Sequence, residues 1–124
     1  MHISYCSPVT EERDAVAADI RRLMDSGQRL RALILESRKG FTKGLKLLDG
    51  GVPLVDALTT LNTAERRKSM TDLLDEFEAD RHRLRLSITA AGLAEGMTIG
   101  EIGRAFGVSR QLAARFAKEV RGGS

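Results

Sequence analysis

The chain has no tryptophan, one tyrosine, four phenylalanines, two prolines and one cysteine in 124 residues. Each shortage narrows what the protein can be. With aromatics at 4%, a core must be assembled from Leu, Ile, Val and Ala, with a few Phe and Met side chains. The lone thiol, Cys6, has no partner for an internal disulfide, so the expected compartment is the reducing cytoplasm. Unbroken apolar runs are short. Ala32–Leu35 is as long as any, far below the ~20 residues of a membrane helix, so no membrane partner is expected. Met1–Val9 lacks the charged start and apolar stretch of a secretory signal. Pro8 and Pro53 alone interrupt the chain, and sustained polar–apolar alternation is missing, so the pattern predicts helices and no strands.

What is present suits a folded domain. Hydrophobic residues make up 42% and charged residues 30%, values of an ordinary globular chain. The net charge of +3 is modest, but its placement is uneven. Met97–Ser124 holds five basic residues against two acidic ones, while the first 96 residues hold fifteen of each. The whole excess lies in the last quarter. Clustered positive charge points to an anionic partner, most commonly nucleic acid.

The helices can be placed from caps and apolar spacing. The first is expected from about Thr10, with Glu11, Glu12 and Asp14 at the positive end of its dipole. Val16, Ile20, Leu23, Leu30 and Ile34 form its stripe, which continues through Phe41, Leu45 and Leu48. Gly40 and Gly44 predict a break or bend near Gly40, a single long helix being the alternative. Gly50-Gly51-Val52-Pro53 is the clearest stop, and a short helix burying Leu54, Val55, Leu58 and Leu61 should follow. Asn62 with Glu65 reads as a capping box opening a helix to about Ala94. Its stripe is interrupted at Asp80 and Arg81, and Gly92 and Gly96 mark its end. The tail Gly122-Gly123-Ser124 reads as frayed.

The stretch Met97–Arg121 reads MTIGEIGRAFGVSRQLAARFAKEVR. Thr98-Ile99-Gly100-Glu101 is a second capping box and predicts a helix from about Ile99 to Phe106. Gly107 sits where a tight turn needs positive φ, and Ser109 can cap a helix from Arg110 to about Val120. In this segment the chain resembles the helix-turn-helix DNA-binding superfamily. Members carry apolar residues at fixed places around the turn glycine, matched here by Ile102, Phe106, Val108, Ala113 and Phe116. They also carry a very small residue four before that glycine, where this chain has Gly103 in place of the usual Ala. Gly107-Val108-Ser109-Arg110-Gln111 is similar to the turn and recognition-helix start of bacterial regulators, and also of resolvases and sigma factors. Gly100 is a departure that weakens the supporting helix.

The resemblance covers about 25 residues, or about 40 if Arg81–Leu93 is the support helix of a three-helix unit. It implies that helix 110–120 lies in the major groove of double-stranded DNA. Arg110 and Gln111 would then read base edges, with Ala114 against a thymine methyl. Arg115, Lys118 and Arg121 would meet phosphates, as would Thr98 and Ser109 at their helix N-termini.

Other features are read more plainly. The basic groups Arg38, Lys39, Lys43, Lys46 and Arg66-Arg67-Lys68 are balanced by acids and read as solvated helix faces. In the acidic run Asp72–Asp80, Glu78 and His82 stand four apart with no second pair, so no metal site is expected. Glu78–Arg81 and Asp80–Arg83 read as surface ion pairs, His82 as exposed, and His2 as terminal. Gly40–Gly44 lacks the spacing of a phosphate loop, and no triad or nucleophile elbow is present. No cofactor and no enzymatic activity are expected. The apolar stripes of residues 10–61 are wider than one short domain can hide, which suggests a homodimer or a protein partner bound through residues 10–80.

The expected protein is all-α. An N-terminal helical hairpin or bundle (residues 1–80) is joined by a long helix to a C-terminal three-helix helix-turn-helix unit (residues 81–121). The expected function is sequence-specific DNA binding as a bacterial transcriptional regulator, cytoplasmic and nucleoid-associated. Two alternatives stay open. One is a sigma-like or recombination-associated DNA-binding module beside a larger partner; the other is a helical protein–protein adaptor.

Overall fold

A computed structural model describes residues 8–122, and among them every regular element is a helix, as the all-α reading expects. The elements are α1 (Pro8–Asp49), α2 (Leu54–Thr60), α3 (Thr63–Ala94), α4 (Ile99–Phe106) and α5 (Arg110–Gly122). His2, Cys6 and the tail residues Gly123 and Ser124 lie outside the described residues, whereas Gly122 belongs to α5. Among the described residues no helix is long and apolar enough to cross a membrane.

The expected break at Gly40 does not occur, and α1 runs through 42 residues. The reason is packing. Each interior glycine costs about 1 kcal/mol of helix propensity, yet Gly27, Gly40 and Gly44 each face a side chain from beyond α1. A Cβ at Gly27 would stand 3.3 Å from the Phe77 ring, and one at Gly44 would stand 3.1 Å from Leu61. At Gly40 it would meet the Arg66 guanidinium at 2.8 Å. As the residue number climbs along α1, the partner's number falls, so these elements form an antiparallel hairpin whose close approach the glycines permit. Arg29 adds a fork onto Glu76, with one arm at 2.9 Å.

The hairpin turns at Gly50–Pro53, where Gly51 takes φ 76°. In α2 the expected burial is reversed. Ala57 is buried, Leu61 is half-buried, and Leu54, Val55 and Leu58 are exposed. A helix of seven residues offers only one narrow side to its neighbours, and the small residue occupies it. The Asn62–Glu65 cap is also replaced. Asn62 takes φ 54° in place of the extended backbone of a cap, a conformation asparagine tolerates. Its carbonyl accepts the Arg66 N–H at 3.1 Å, so the chain passes directly from α2 into α3.

The chain divides into two compact units. One is residues 24–78, the hairpin just described, in which nine basic and nine acidic residues cancel. The other joins residues 8–23 to residues 79–122 and carries the entire +3. In this second unit Arg13 pairs with Glu95 at 2.9 Å, beside a groove lined by Val16, Ile20, Ile88, Ala91 and Met97. Thr89 is fully buried and donates its hydroxyl to the Arg85 carbonyl at 2.8 Å. Asp80 makes the expected ion pair with Arg83, at 3.7 Å, but is buried at 7% exposure and not a surface group. The stripe of α3 is interrupted there because a carboxylate, not an apolar group, is turned inward.

Candidate nucleic-acid interface

Helices α4 and α5 are joined by the three residues Gly107–Ser109, and local chemistry sets both ends of this joint. At the start of α4, the Glu101 N–H donates to Thr98 Oγ1 at 3.1 Å, while the Thr98 N–H donates to Glu101 Oε1 at 2.9 Å. This reciprocal capping box satisfies two helix-start donors. At the end of α4, Gly107 takes φ 75°, its N–H bonding to the Arg104 carbonyl at 3.3 Å. The Val108 N–H reaches back to the Gly103 carbonyl at 2.9 Å. These two bonds are the Schellman closure, which favours a residue without Cβ at the left-handed position. Ser109 then caps α5 by accepting the Leu112 N–H on Oγ at 3.1 Å.

The seam beneath the turn is tight. A Cβ on Gly103 would lie 3.1 Å from the Val108 carbonyl oxygen and 3.5 Å from Ala113 Cβ. Ile102, Ala113 and Phe116 are buried, and Phe106 and Val108 are half-buried at the turn. Gly92 of α3 meets Ile102 and Met97, each at 3.2 Å from a would-be Cβ, so α3 backs the pair closely. Ala117 is as buried as Ala113 and was missed in the sequence, although it follows Ala113 by four on the same face. His82 is half-buried where exposure was expected. It bonds Glu119 at 2.8 Å and meets the Phe116 ring edge-on at 6.2 Å.

The opposite side of α5 faces outward. At 100° per residue, Arg110, Gln111, Ala114, Arg115, Lys118 and Arg121 fall within an arc of about 140°. Five of these are exposed, while Ala114, within the arc, is half-buried among longer neighbours. The face holds four cations and no carboxylate, and the first turn of α5 has no acid either. Glu119 lies round the helix from it, held by His82. The two helix starts therefore differ. At α5 the caps and dipole leave a positive end beside Arg110. At α4 the Glu101 carboxylate already occupies the amide end, and Thr98 is engaged with it, so a phosphate there would meet a like charge.

The Thr98 N–H, and then its hydroxyl, hold the Glu101 carboxyl below the usual glutamate range, with the Arg104 charge adding to the effect. A lowered folded value means the box stabilises above the unfolded value and is lost as pH falls through the folded one. Thermal melts taken down through the carboxylate range should fall more steeply for the wild type than for Glu101→Gln. Parallel pH curves for the two chains would remove this role. Among the described residues no group of three or more His, Cys, Asp or Glu side chains is placed to hold a metal ion.

No family model, curated protein or solved structure matches this chain.

Proposed function

We propose that α4 and α5 form a helix-turn-helix and that the chain binds double-stranded DNA sequence-specifically, with α5 in the major groove. The observation that carries this reading is the outward face of α5. It presents four cations and a glutamine without a carboxylate, on a helix held by the Gly103–Ala113 seam. Arg110 and Gln111, in the first turn, match guanine and adenine edges by bidentate bonding, and Ala114 offers a methyl to thymine. Arg115, Lys118 and Arg121 meet phosphates, as does Ser109 at the helix start. A bacterial regulator of this kind works in the cytoplasm at the nucleoid, as a homodimer on paired half-sites. The exposed apolar side chains of residues 24–78 favour one second reading, a DNA-binding module seated beside a larger protein.

Selection from random DNA followed by a salt titration tests the proposal. Three basic phosphate contacts predict a log–log slope of about −3 per subunit. Lys118→Ala should weaken all sequences alike and reduce the slope by about 1. Arg110→Ala should instead lose about 1–3 kcal/mol of discrimination at one base pair. A chain that enriches no sequence and shows no salt-dependent binding would overturn it.

A further inference from the structure

Residues 24–78 present more apolar surface than a monomer ordinarily leaves in water. On α1, Ile34, Phe41, Leu45 and Leu48 fall within an arc of about 60° and make a stripe some 20 Å long. Helix α2, whose flanking Leu61 meets α1 at Gly44, adds Leu54, Val55 and Leu58. These seven side chains are between 44% and 72% exposed. At on the order of 100 Å² each they leave roughly 700 Å² uncovered. That is close to the ~800 Å² per partner of a stable interface and above the patch of a typical monomer.

Shape selects the occupant. Phe41, the most exposed of the seven at 72%, stands on the rim of a groove of about 350 Å³. Gly40, Ser37, Leu61 and Met70 line that groove, with Arg66 and Arg67 on its wall. A protruding ring and a hollow therefore lie side by side on one patch, one helical turn of α1 serving both. A two-fold axis through such a patch seats each ring in the other copy's hollow, which is the self-complementarity an isologous contact requires.

We infer that this face is the homodimer interface, with Phe41 of each copy inserted in the groove beside Gly40 of the other. The inference deepens the homodimer part of the proposed function but stands on residues 24–78 alone, so it is tested without DNA. Sedimentation equilibrium of the full chain should give twice the 13.6 kDa chain mass at micromolar concentration. Phe41→Glu should raise the dissociation constant about a hundredfold or more, while helicity by circular dichroism is retained. Met24→Glu changes a side chain that is 69% exposed but lies about 100° round the helix from Phe41, and should leave the dimer intact.

Phe41→Cys in a Cys6→Ser background covers the case in which the glutamate variant fails to fold. Mild oxidation should convert it to a disulfide-linked dimer, and Met24→Cys in the same background should stay unlinked. A wild-type monomer at tens of micromolar, an undiminished Phe41→Glu dimer, or equal cross-linking at positions 24 and 41 would overturn the inference. A heteromeric complex of monomeric chains would assign the face to another protein. Loss of DNA binding with the dimer retained would overturn the DNA reading and leave this one standing.

Discussion

A chain carrying Gly103→Val is expected to melt about 15 °C below the wild type and, on the proposed reading, to lose specific DNA binding. The atoms in the way are backbone. A Cβ at this position already lies 3.1 Å from the Val108 carbonyl oxygen and 3.4 Å from that of Ser109. Neither oxygen can swing aside as a side chain would. Valine adds two more carbons against the same carbonyls and against Ala113, and the turn must open to admit them. Overpacking of this kind costs about 1–3 kcal/mol, and displacing the Val108-to-Gly103 hydrogen bond adds about 1 more. At 4–8 °C per kcal/mol for a unit of this size, a loss of about 3 kcal/mol gives the stated shift.

Gly103→Ala is the informative companion. It regains about 1 kcal/mol of helix propensity while asking the turn to yield a few tenths of an ångström, so its melt should lie within about 1 kcal/mol of wild type. Melts followed by circular dichroism, with DNA binding measured on the same samples, separate the two variants. If valine behaves like alanine, the two helices do not approach as closely as described.

Phe116→Ala should be the costliest side-chain truncation in the same unit, at about 3–5 kcal/mol. Phe116 is 5% exposed and is met edge-on by His82 and, at a 54° tilt and 6.5 Å, by Phe106. Removing the ring empties the space between α3, α4 and α5. It also withdraws the surface on which His82 is set toward Glu119. Against a typical total of about 5–15 kcal/mol, this is a fifth or more of the stability. Urea unfolding should show a lower midpoint with little change in slope. Phe116→Leu, which keeps most of the volume, should cost under about 1.5 kcal/mol. At low temperature, where the variant is folded, the DNA affinity proposed above should return, because Phe116 lies on the side of α5 away from Arg110 and Lys118. An affinity that stays lost when the chain is folded would move Phe116 from core to contact.

The segment from Thr98 to Val120 was the most legible part of the chain because its signals are local. A capping box, a glycine that must take positive φ and a serine cap each act within four residues, and no distant partner alters them. Elsewhere the deciding forces come from residues far off in sequence. Propensity argues for a break at Gly40, but Arg66 and the hairpin packing override it. Composition marks Leu54, Val55 and Leu58 as core, yet only Ala57 finds cover on so short a helix. Asp80 looks like a solvent charge until its helix is seen from the packed side, and Ala117 is too weakly hydrophobic to mark a core position unaided. The membership of residues 8–23 in the same unit as α4 and α5 leaves no trace in any local pattern.

That discontinuous unit has a kinetic consequence. Its two pieces are separated along the chain by all of residues 24–78. Bringing them together directly would close a long loop, whose entropy must be met before any of their contacts reward it. The α1–α3 hairpin shortens that loop if it forms first, since pairing Gly44 with Leu61 and then Gly27 with Phe77 zips toward the two pieces. The Arg13–Glu95 contact is then expected to form late in refolding. On a ribosome emitting the N-terminus first, residues 8–23 emerge early and wait for nearly the whole chain before α4 and α5 appear.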